Sequence, residues 1–297
     1  YLAGQGIIIP STQVHVNSYV AGVDYGYPKP EGQVGVTFTT GNRLMSTGGG
    51  EALLHIGIQA GEMEFDDLPP MNLAFVIDKS GSMNVADKMG WVVDAFDIFI
   101  EQVRDIDFVS LIVFDSSAKV IYPSTSMSSR AKRLRFKQAV HTIYADGGTN
   151  LVDGLELGYQ QVMANYRSDY TNRVLFLTDG VGDSGGILRM AEEYKELGIN
   201  VSTIGVGQDF DLDLMVNLAK AGGGSSRFIS DRTEMEGIFG SELDRMVVPA
   251  AKDLLMSLTL PSGFEVLETW GYHNEIRGNE AQFSQGTLHH RDYETVL

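Results

Sequence analysis

The sequence contains no cysteine, and this absence excludes disulfide bonds, thiolate zinc sites and cysteine nucleophiles together. It also contains no apolar run of about 18 residues, so no segment is expected to span a membrane as a helix. Basic residues are scarce: 22 Lys and Arg stand against 39 Asp and Glu, and the formal net charge is −17. This balance argues against nucleic acid or anionic membranes as partners and favours metal ions or a cationic partner.

The chain is 297 residues long and 43% hydrophobic, which is typical of a folded protein of one or two domains. Its two ends, residues 1–70 and 249–297, contain glycine-rich turns and short β-prone runs such as Gly6–Ile9 and Phe264–Thr269. Residues 71–248 instead alternate between strand and helix patterns. We therefore expect a discontinuous, β-rich, sandwich-like domain into which an α/β domain is inserted.

The inserted region has the pattern of a doubly wound sheet. The continuous apolar runs Leu73–Ile77 and Val174–Leu177 are typical of strands buried on both faces. Alternation of such strands with helices predicts a mostly parallel sheet covered by helices on both faces. Ligands of these sheets bind beyond the carboxyl ends of the strands, where the strand order reverses. The predicted helices are Met89–Val103, Leu134–Ile143, Leu151–Tyr166, Ile187–Leu197, Leu212–Ala221 and about Met235–Val247.

Polar residues follow both buried strands. Asp78, Ser80 and Ser82 alternate after the first strand, Asp179 follows the second, and Thr149 lies in a glycine-rich loop that opens a helix. Residues two apart in a turn that leaves a strand can face one point. Two carboxylates and three hydroxyls suit a hard divalent cation, Mg²⁺, Mn²⁺ or Ca²⁺, rather than zinc or copper. Because Mg²⁺ takes six oxygens, this set leaves a position for water or for an acidic side chain of a partner.

The motif Asp78-x-Ser80-x-Ser82, with the threonine and the second aspartate, resembles the metal-ion-dependent adhesion site (MIDAS) of the von Willebrand factor type A (vWA) family. All five positions match, the resemblance covers residues 72–248, and Gly205-Val206-Gly207 at a strand end is similar to that family as well. The resemblance implies an Mg²⁺ ion completed by an acidic residue of a protein ligand. The flanking β segments, judged only by their pattern of short β-prone runs and turns, resemble secreted bacterial vWA proteins and the heavy chains of inter-alpha-trypsin inhibitor.

These observations predict a non-enzymatic, cation-dependent protein-binding module in an extracytoplasmic setting: secreted, periplasmic or at a cell surface. A structural or assembly scaffold, in which the metal stabilises the fold or couples it to a larger complex, stays open as an alternative, and a hydrolase is the more remote one. Because the first residue is Tyr1, we expect a chain that begins after processing or is cut from a longer one.

Three other motifs lack the context that their chemistry requires. Residues Gly182–Gly186 have the same sequence as the segment around the nucleophile of trypsin-like serine proteases. The all-β fold of those enzymes and their distant catalytic base are missing, however. Gly180–Gly185 matches the dinucleotide fingerprint, but Asp179 would place a negative charge beside the pyrophosphate. The carboxylates of Asp209–Asp213 lack the glycine and glutamate of an EF-hand, and we expect them to cap the helix at Leu212.

Overall fold

The structure is a computed structural model, which describes residues 25–41, 49–61, 68–180, 182, 184–207, 210–243, 248–252, 254–269, 274–285, 287–289 and 293–296. The predicted strand Gly6–Ile9 lies outside these residues. None of the described helices combines the length and the apolar character that crossing a bilayer requires.

The described chain forms fourteen strands and six α-helices. The strands are β1 (Val34–Thr40), β2 (Leu54–Ala60), β3 (Met71–Asp78), β4 (Phe108–Phe114), β5 (Ala118–Ser126), β6 (Thr171–Thr178), β7 (Asn200–Val206), β8 (Gly223–Ile229), β9 (Pro249–Ala251), β10 (Leu254–Thr259), β11 (Asn274–Arg277), β12 (Glu280–Gln285), β13 (Leu288–His289) and β14 (Tyr293–Val296). The helices are α1 (Lys88–Gln102), α2 (Arg130–Val140), α3 (Leu151–Ala164), α4 (Ile187–Glu196), α5 (Leu212–Ala221) and α6 (Arg232–Gly237).

The chain divides into two compact units, residues 1–62 with 249–297 and residues 63–248. The described part of the first unit is built from antiparallel strands in the orders β1-β2-β14, β10-β12-β11 and β13-β9. Ile56 of β2 packs with Ala281 and Phe283 of β12 in one apolar cluster, so strands of two sheets share a small core. A second cluster joins Ile58 and Ala60 of β2 with Leu288 of β13, so apolar contacts between strands of different sheets form the core of this unit.

The second unit contains a six-stranded sheet in the order β5-β4-β3-β6-β7-β8. All neighbouring strands are parallel except β4 and β5, which form an antiparallel pair at one edge. Every residue of β3 is buried, which explains its continuous apolar sequence. The prediction of a mostly parallel, doubly wound sheet is confirmed.

The two faces of this sheet carry separate helical layers. Phe75 on β3 packs among the helices α1, α2 and α6, where it contacts the rings of Phe96 and Phe99 edge to face. Val76, the next residue, packs on the opposite face with helices α3, α4 and α5. Successive side chains of a strand point to opposite faces, so a strand between two helical layers must be apolar throughout.

The strand order reverses between β3 and β6. From β3 the chain runs outward to β4 and β5, and it then returns to place β6 on the other side of β3. The carboxyl ends of β3 and β6 are therefore neighbours at the crevice where doubly wound sheets bind their ligands. The fold places Asp78, the last residue of β3, and Asp179, directly after β6, at this point.

Several elements differ from the sequence-based expectations, and α2 spans Arg130–Val140 rather than the predicted Leu134–Ile143. The predicted strand Phe264–Thr269 is wrong: these residues are irregular and mostly exposed. Val266 donates a backbone hydrogen bond to the carbonyl of Gly278 at 3.0 Å, and Phe264 donates only within a turn, to the carbonyl of Pro261 at 3.2 Å. The last helix begins at Arg232 rather than Met235, because the Asp231 side chain caps its first turn, and it continues as a π-helical turn over Ile238–Glu242. The sequence pattern predicts a short strand over Arg227–Ser230, whereas β8 begins four residues earlier, at Gly223.

Candidate metal centre

Three segments meet at the reversal point, and backbone hydrogen bonds hold them together. Gly81 after β3 donates to the carbonyl of Gly147 at 3.1 Å, and Asp146 donates to the carbonyl of Lys79 at 2.6 Å. Asn150 donates to the carbonyl of Asp115 at 2.6 Å. The loop that carries Thr149 is thereby fixed against the residues that follow β3 and β4, although some seventy residues separate it from Asp78 in sequence.

Asp78 forms the floor of the site and is fully buried. Its Oδ1 accepts the backbone N–H of Ser80 at 2.7 Å, and its Oδ2 accepts the Thr178 hydroxyl at 2.6 Å. Burial raises the pKa of Asp78 above its ordinary value, against these hydrogen bonds, which lower it; the nearby Asp179 carboxylate raises it further. A cation at this point would relieve both the desolvation and the repulsion between the carboxylates.

The hydroxyls of the motif connect the two carboxylates. Ser80 Oγ lies 3.0 Å from Ser82 Oγ, and Ser82 Oγ donates to Oδ1 of Asp179 at 2.6 Å. Asp179 and Ser80 are buried, whereas Ser82 is exposed. The polar groups therefore run from a buried floor to a rim that faces solvent.

Thr149 approaches the same floor from the third segment. A Cβ placed on Gly180 would lie 3.4 Å from Thr149 Oγ1 and 3.5 Å from Asp78 Oδ2, so both oxygens border one small volume. Thr149 is half-buried, and Asn150 after it caps helix α3 by accepting the N–H of Asp153. A Cβ on Gly182 would lie 2.5 Å from the Thr149 carbonyl, so a glycine is needed for the close approach of these two segments.

The structure thus brings together all five residues that the sequence singled out. Their oxygens come from two buried carboxylates and three hydroxyls, a donor set that fits a hard divalent cation. Nowhere in the described residues do three or more His, Cys, Asp or Glu side chains group as a metal site, so hydroxyls must supply part of any ligand set here.

Two residues that bind the carboxylates of the site were not predicted from the sequence. Thr178 binds Asp78, and Lys88 binds Asp179, where its Nζ donates to Oδ2 at 2.7 Å. Thr178 stands directly before Asp179, and its position as the last residue of a buried strand is a signal that could have revealed it. No local signal reveals Lys88, because its partner lies 91 residues away in the sequence.

A second ion pair borders the centre. Lys79, between Asp78 and Ser80, binds the carboxylate of Asp115 after β4, and its Nζ also lies 5.6 Å from the ring centre of Tyr144. The hydrogen bond from Lys79 holds the pKa of Asp115 below its ordinary value. Lys79 is therefore turned away from the two carboxylates of the centre.

Comparison with known proteins gives consistent results. The von Willebrand factor type A domain matches residues 72–240. The chain is 30% identical over 208 residues to the uncharacterized protein YfbK of Escherichia coli, an alignment that covers 68% of the chain and 36% of YfbK. The chain therefore spans about a third of the length of this curated relative.

Solved structures share the fold. A von Willebrand factor type A protein from Catenulispora acidiphila superposes with a TM-score of 0.60 at 16% identity, covering 89% of this chain and 64% of that one. Proximal thread matrix protein 1 from the mussel byssus, in a form described as having a zinc-occupied MIDAS motif, superposes with a TM-score of 0.51 at 20% identity over 59% of this chain and 45% of that one. With more than half of its length matched to one domain family and the same architecture in these structures, the chain belongs to the von Willebrand factor type A domain family.

Proposed function

We propose that this protein is a non-enzymatic module that binds a protein partner through a divalent cation, Mg²⁺ or else Mn²⁺ or Ca²⁺, held by Asp78, Ser80, Ser82, Thr149 and Asp179. The observation that carries the proposal is the pair of buried carboxylates, Asp78 and Asp179, joined by serine hydroxyls at the reversal point of the sheet. The family commonly serves protein interaction and adhesion, which supports the same assignment.

The charges of the site favour a cation. Two buried carboxylates face each other with a single ammonium, that of Lys88, bound to one of them. Buried charges are costly unless they are paired, and a dication bound by both carboxylates would compensate them. Among the relatives, the mussel byssus protein has a zinc-occupied MIDAS motif, and this supports a metal at the equivalent place here.

The exposure of the site favours a partner. Ser82 is exposed and Thr149 is half-buried, so an ion on these hydroxyls would be reachable from solvent. Hydroxyls are weak ligands, and the five side chains leave a position for one more oxygen donor. We propose that an acidic side chain of the partner takes this position. The chain's net charge of −17 would repel such a partner at long range, so the ion must provide the local attraction.

Calorimetric titration with Mg²⁺ and Mn²⁺ tests the metal site. The wild type is expected to bind one ion, and Asp78→Ala is expected to lose binding. Asp97→Ala is a matched control, because it also removes a carboxylate from the second unit. Asp97 pairs with Lys137 and His141 on the surface rather than with the metal centre. Equal binding by Asp78→Ala and the wild type would refute the assignment.

The alternative is a structural scaffold whose metal stabilises the fold, and the buried floor of the site is the observation that favours it. Affinity capture from the native source distinguishes the two functions. If the protein is an adhesion module, the wild type should release its partner in EDTA, and the Asp179→Ala variant should capture little partner. A scaffold should keep its partner in EDTA and lose only thermal stability. The resemblance to secreted bacterial vWA proteins leads us to propose an extracytoplasmic location.

A further inference from the structure

Lys88 is a buried cation beside the candidate metal centre, and the adhesion motif does not contain it. Its ammonium donates to Oδ2 of Asp179 at 2.7 Å, and its side chain is only 7% exposed. Oδ1 of the same carboxylate accepts the Ser82 hydroxyl. The two oxygens of Asp179 are thus divided: one binds the ammonium, and the other faces the hydroxyls of the centre.

The backbone is shaped to admit this lysine. A Cβ placed on Gly207, directly after β7, would lie 2.6 Å from Lys88 Cε and 2.9 Å from Nζ. Gly207 also has a φ of +85°, which disfavours any other residue. Lys88 itself is the first residue of α1, at the end of the short helical segment that follows the motif. The start of α1 therefore supplies the lysine, and the glycine after β7 leaves room for its ammonium. Lys is almost never buried in this way unless it is paired.

We propose that Lys88 is an internal cation of the metal centre, which orients Asp179, lowers the affinity for the divalent ion and leaves the loaded centre positively charged. This inference rests on the proposed function. Two carboxylates and one ammonium carry a net charge of −1, so a bound dication brings the centre to +1, whereas without Lys88 the loaded centre would be neutral. The remaining positive charge is what an acidic side chain of the partner would meet.

Lys88→Met tests the inference, because methionine keeps an unbranched stem and removes the charge. Titration with Mn²⁺ is expected to show an affinity at least about tenfold higher than that of the wild type, since an ammonium and a dication on one carboxylate repel each other even when solvent screens them. The metal-free variant should also be less stable, because Asp179 loses its counterion. Misfolding lowers metal affinity, so a gain in affinity cannot come from a general loss of structure.

Two further variants complete the test. Lys79→Met removes the same charge one residue after Asp78, from an ammonium that binds Asp115, and its Mn²⁺ affinity should stay within about threefold of the wild type because solvent screens the more distant charge. Lys88→Gln keeps a hydrogen-bond donor for Asp179 without the charge. It should gain Mn²⁺ affinity as Lys88→Met does, and it serves if the methionine variant does not fold without metal.

Acetate, titrated into the Mn²⁺-saturated proteins and followed by water-proton relaxation, represents the partner's carboxylate. It should bind more weakly to Lys88→Met than to the wild type. Unchanged Mn²⁺ affinity in both Lys88 variants would overturn the inference and leave the proposed metal site standing. Tighter Mn²⁺ binding with unchanged acetate binding would refute the part that concerns the positive charge. Absence of Mn²⁺ binding in the wild type and in all variants would instead refute the proposed function itself.

Discussion

Helix α3 packs so closely on the sheet that adding one methyl group at their contact should push the helix away from the sheet. A Cβ on Gly158 would lie 2.5 Å from Cγ2 of Val76 and 3.1 Å from Cγ1 of Val174, where carbon atoms normally keep about 3.5–4.0 Å. Both valines are fully buried in neighbouring strands, and branching at Cβ restricts the rotation of their side chains. The helix must therefore move outward by about 1 Å to accept an alanine.

Gly158→Ala is accordingly expected to destabilise the second unit. Alanine improves helix propensity by about 1 kcal/mol, but overpacking a rigid core costs about 1–3 kcal/mol, here near the upper limit. The net loss is about 2 kcal/mol. Gly237→Ala is the matched control: this helical glycine has nothing within 4 Å of its Cβ position, and the substitution should gain about 0.5–1 kcal/mol.

Urea unfolding followed by the fluorescence of Trp91, which lies on α1 against the core, measures both variants. The Trp270→Phe background removes the second of the two tryptophans. Because α3 begins directly after Thr149 and Asn150, outward movement of the helix should also weaken Mn²⁺ binding by the metal centre. A Gly158→Ala protein as stable as the wild type would refute the close packing on which this reasoning depends.

Two further predictions concern the surface of the second unit. Burial raises the pKa of Asp97, but hydrogen bonds from His141 and Lys137 lower it more, so the pKa of this carboxyl lies below its ordinary value. Its contribution to stability is therefore present above the unfolded pKa of about 4 and is lost as the pH falls through the lower folded pKa. Asp97→Asn should cost about 0.5–1 kcal/mol at pH 7, and the difference in urea midpoint from the wild type should vanish in acid; a constant difference would contradict the linkage. Ala86 has a φ of 54° and is exposed, so Ala86→Gly should raise the free energy of unfolding by about 0.5–1 kcal/mol in the same assay, and an unchanged midpoint would show that this turn carries no strain.

The sequence by itself determined the architecture of the second unit and the candidate ligand set. Continuous apolar runs such as Leu73–Ile77 report burial on both faces, and burial on both faces is specific to the central strands of a layered sheet. The spacing of Asp78, Ser80 and Ser82 is likewise local, and it is enough to place their oxygens on one side of a turn. The helix cap at Leu212 was predictable for the same reason, and Asp211 does accept the N–H of Leu214 at 2.9 Å.

Only the tertiary structure decided which distant groups these residues meet. Asp179 binds Ser82 and Lys88, and Asp78 binds Thr178, across 91 to 100 residues of sequence. Such pairs depend on the strand order, which makes β3 and β6 neighbours, and no local pattern encodes that order. The predicted strand Phe264–Thr269 failed for a related reason, since a β-prone run becomes a strand only when a partner strand satisfies its backbone groups. Periodicity and burial are properties of a segment, whereas pairing is a property of the whole fold.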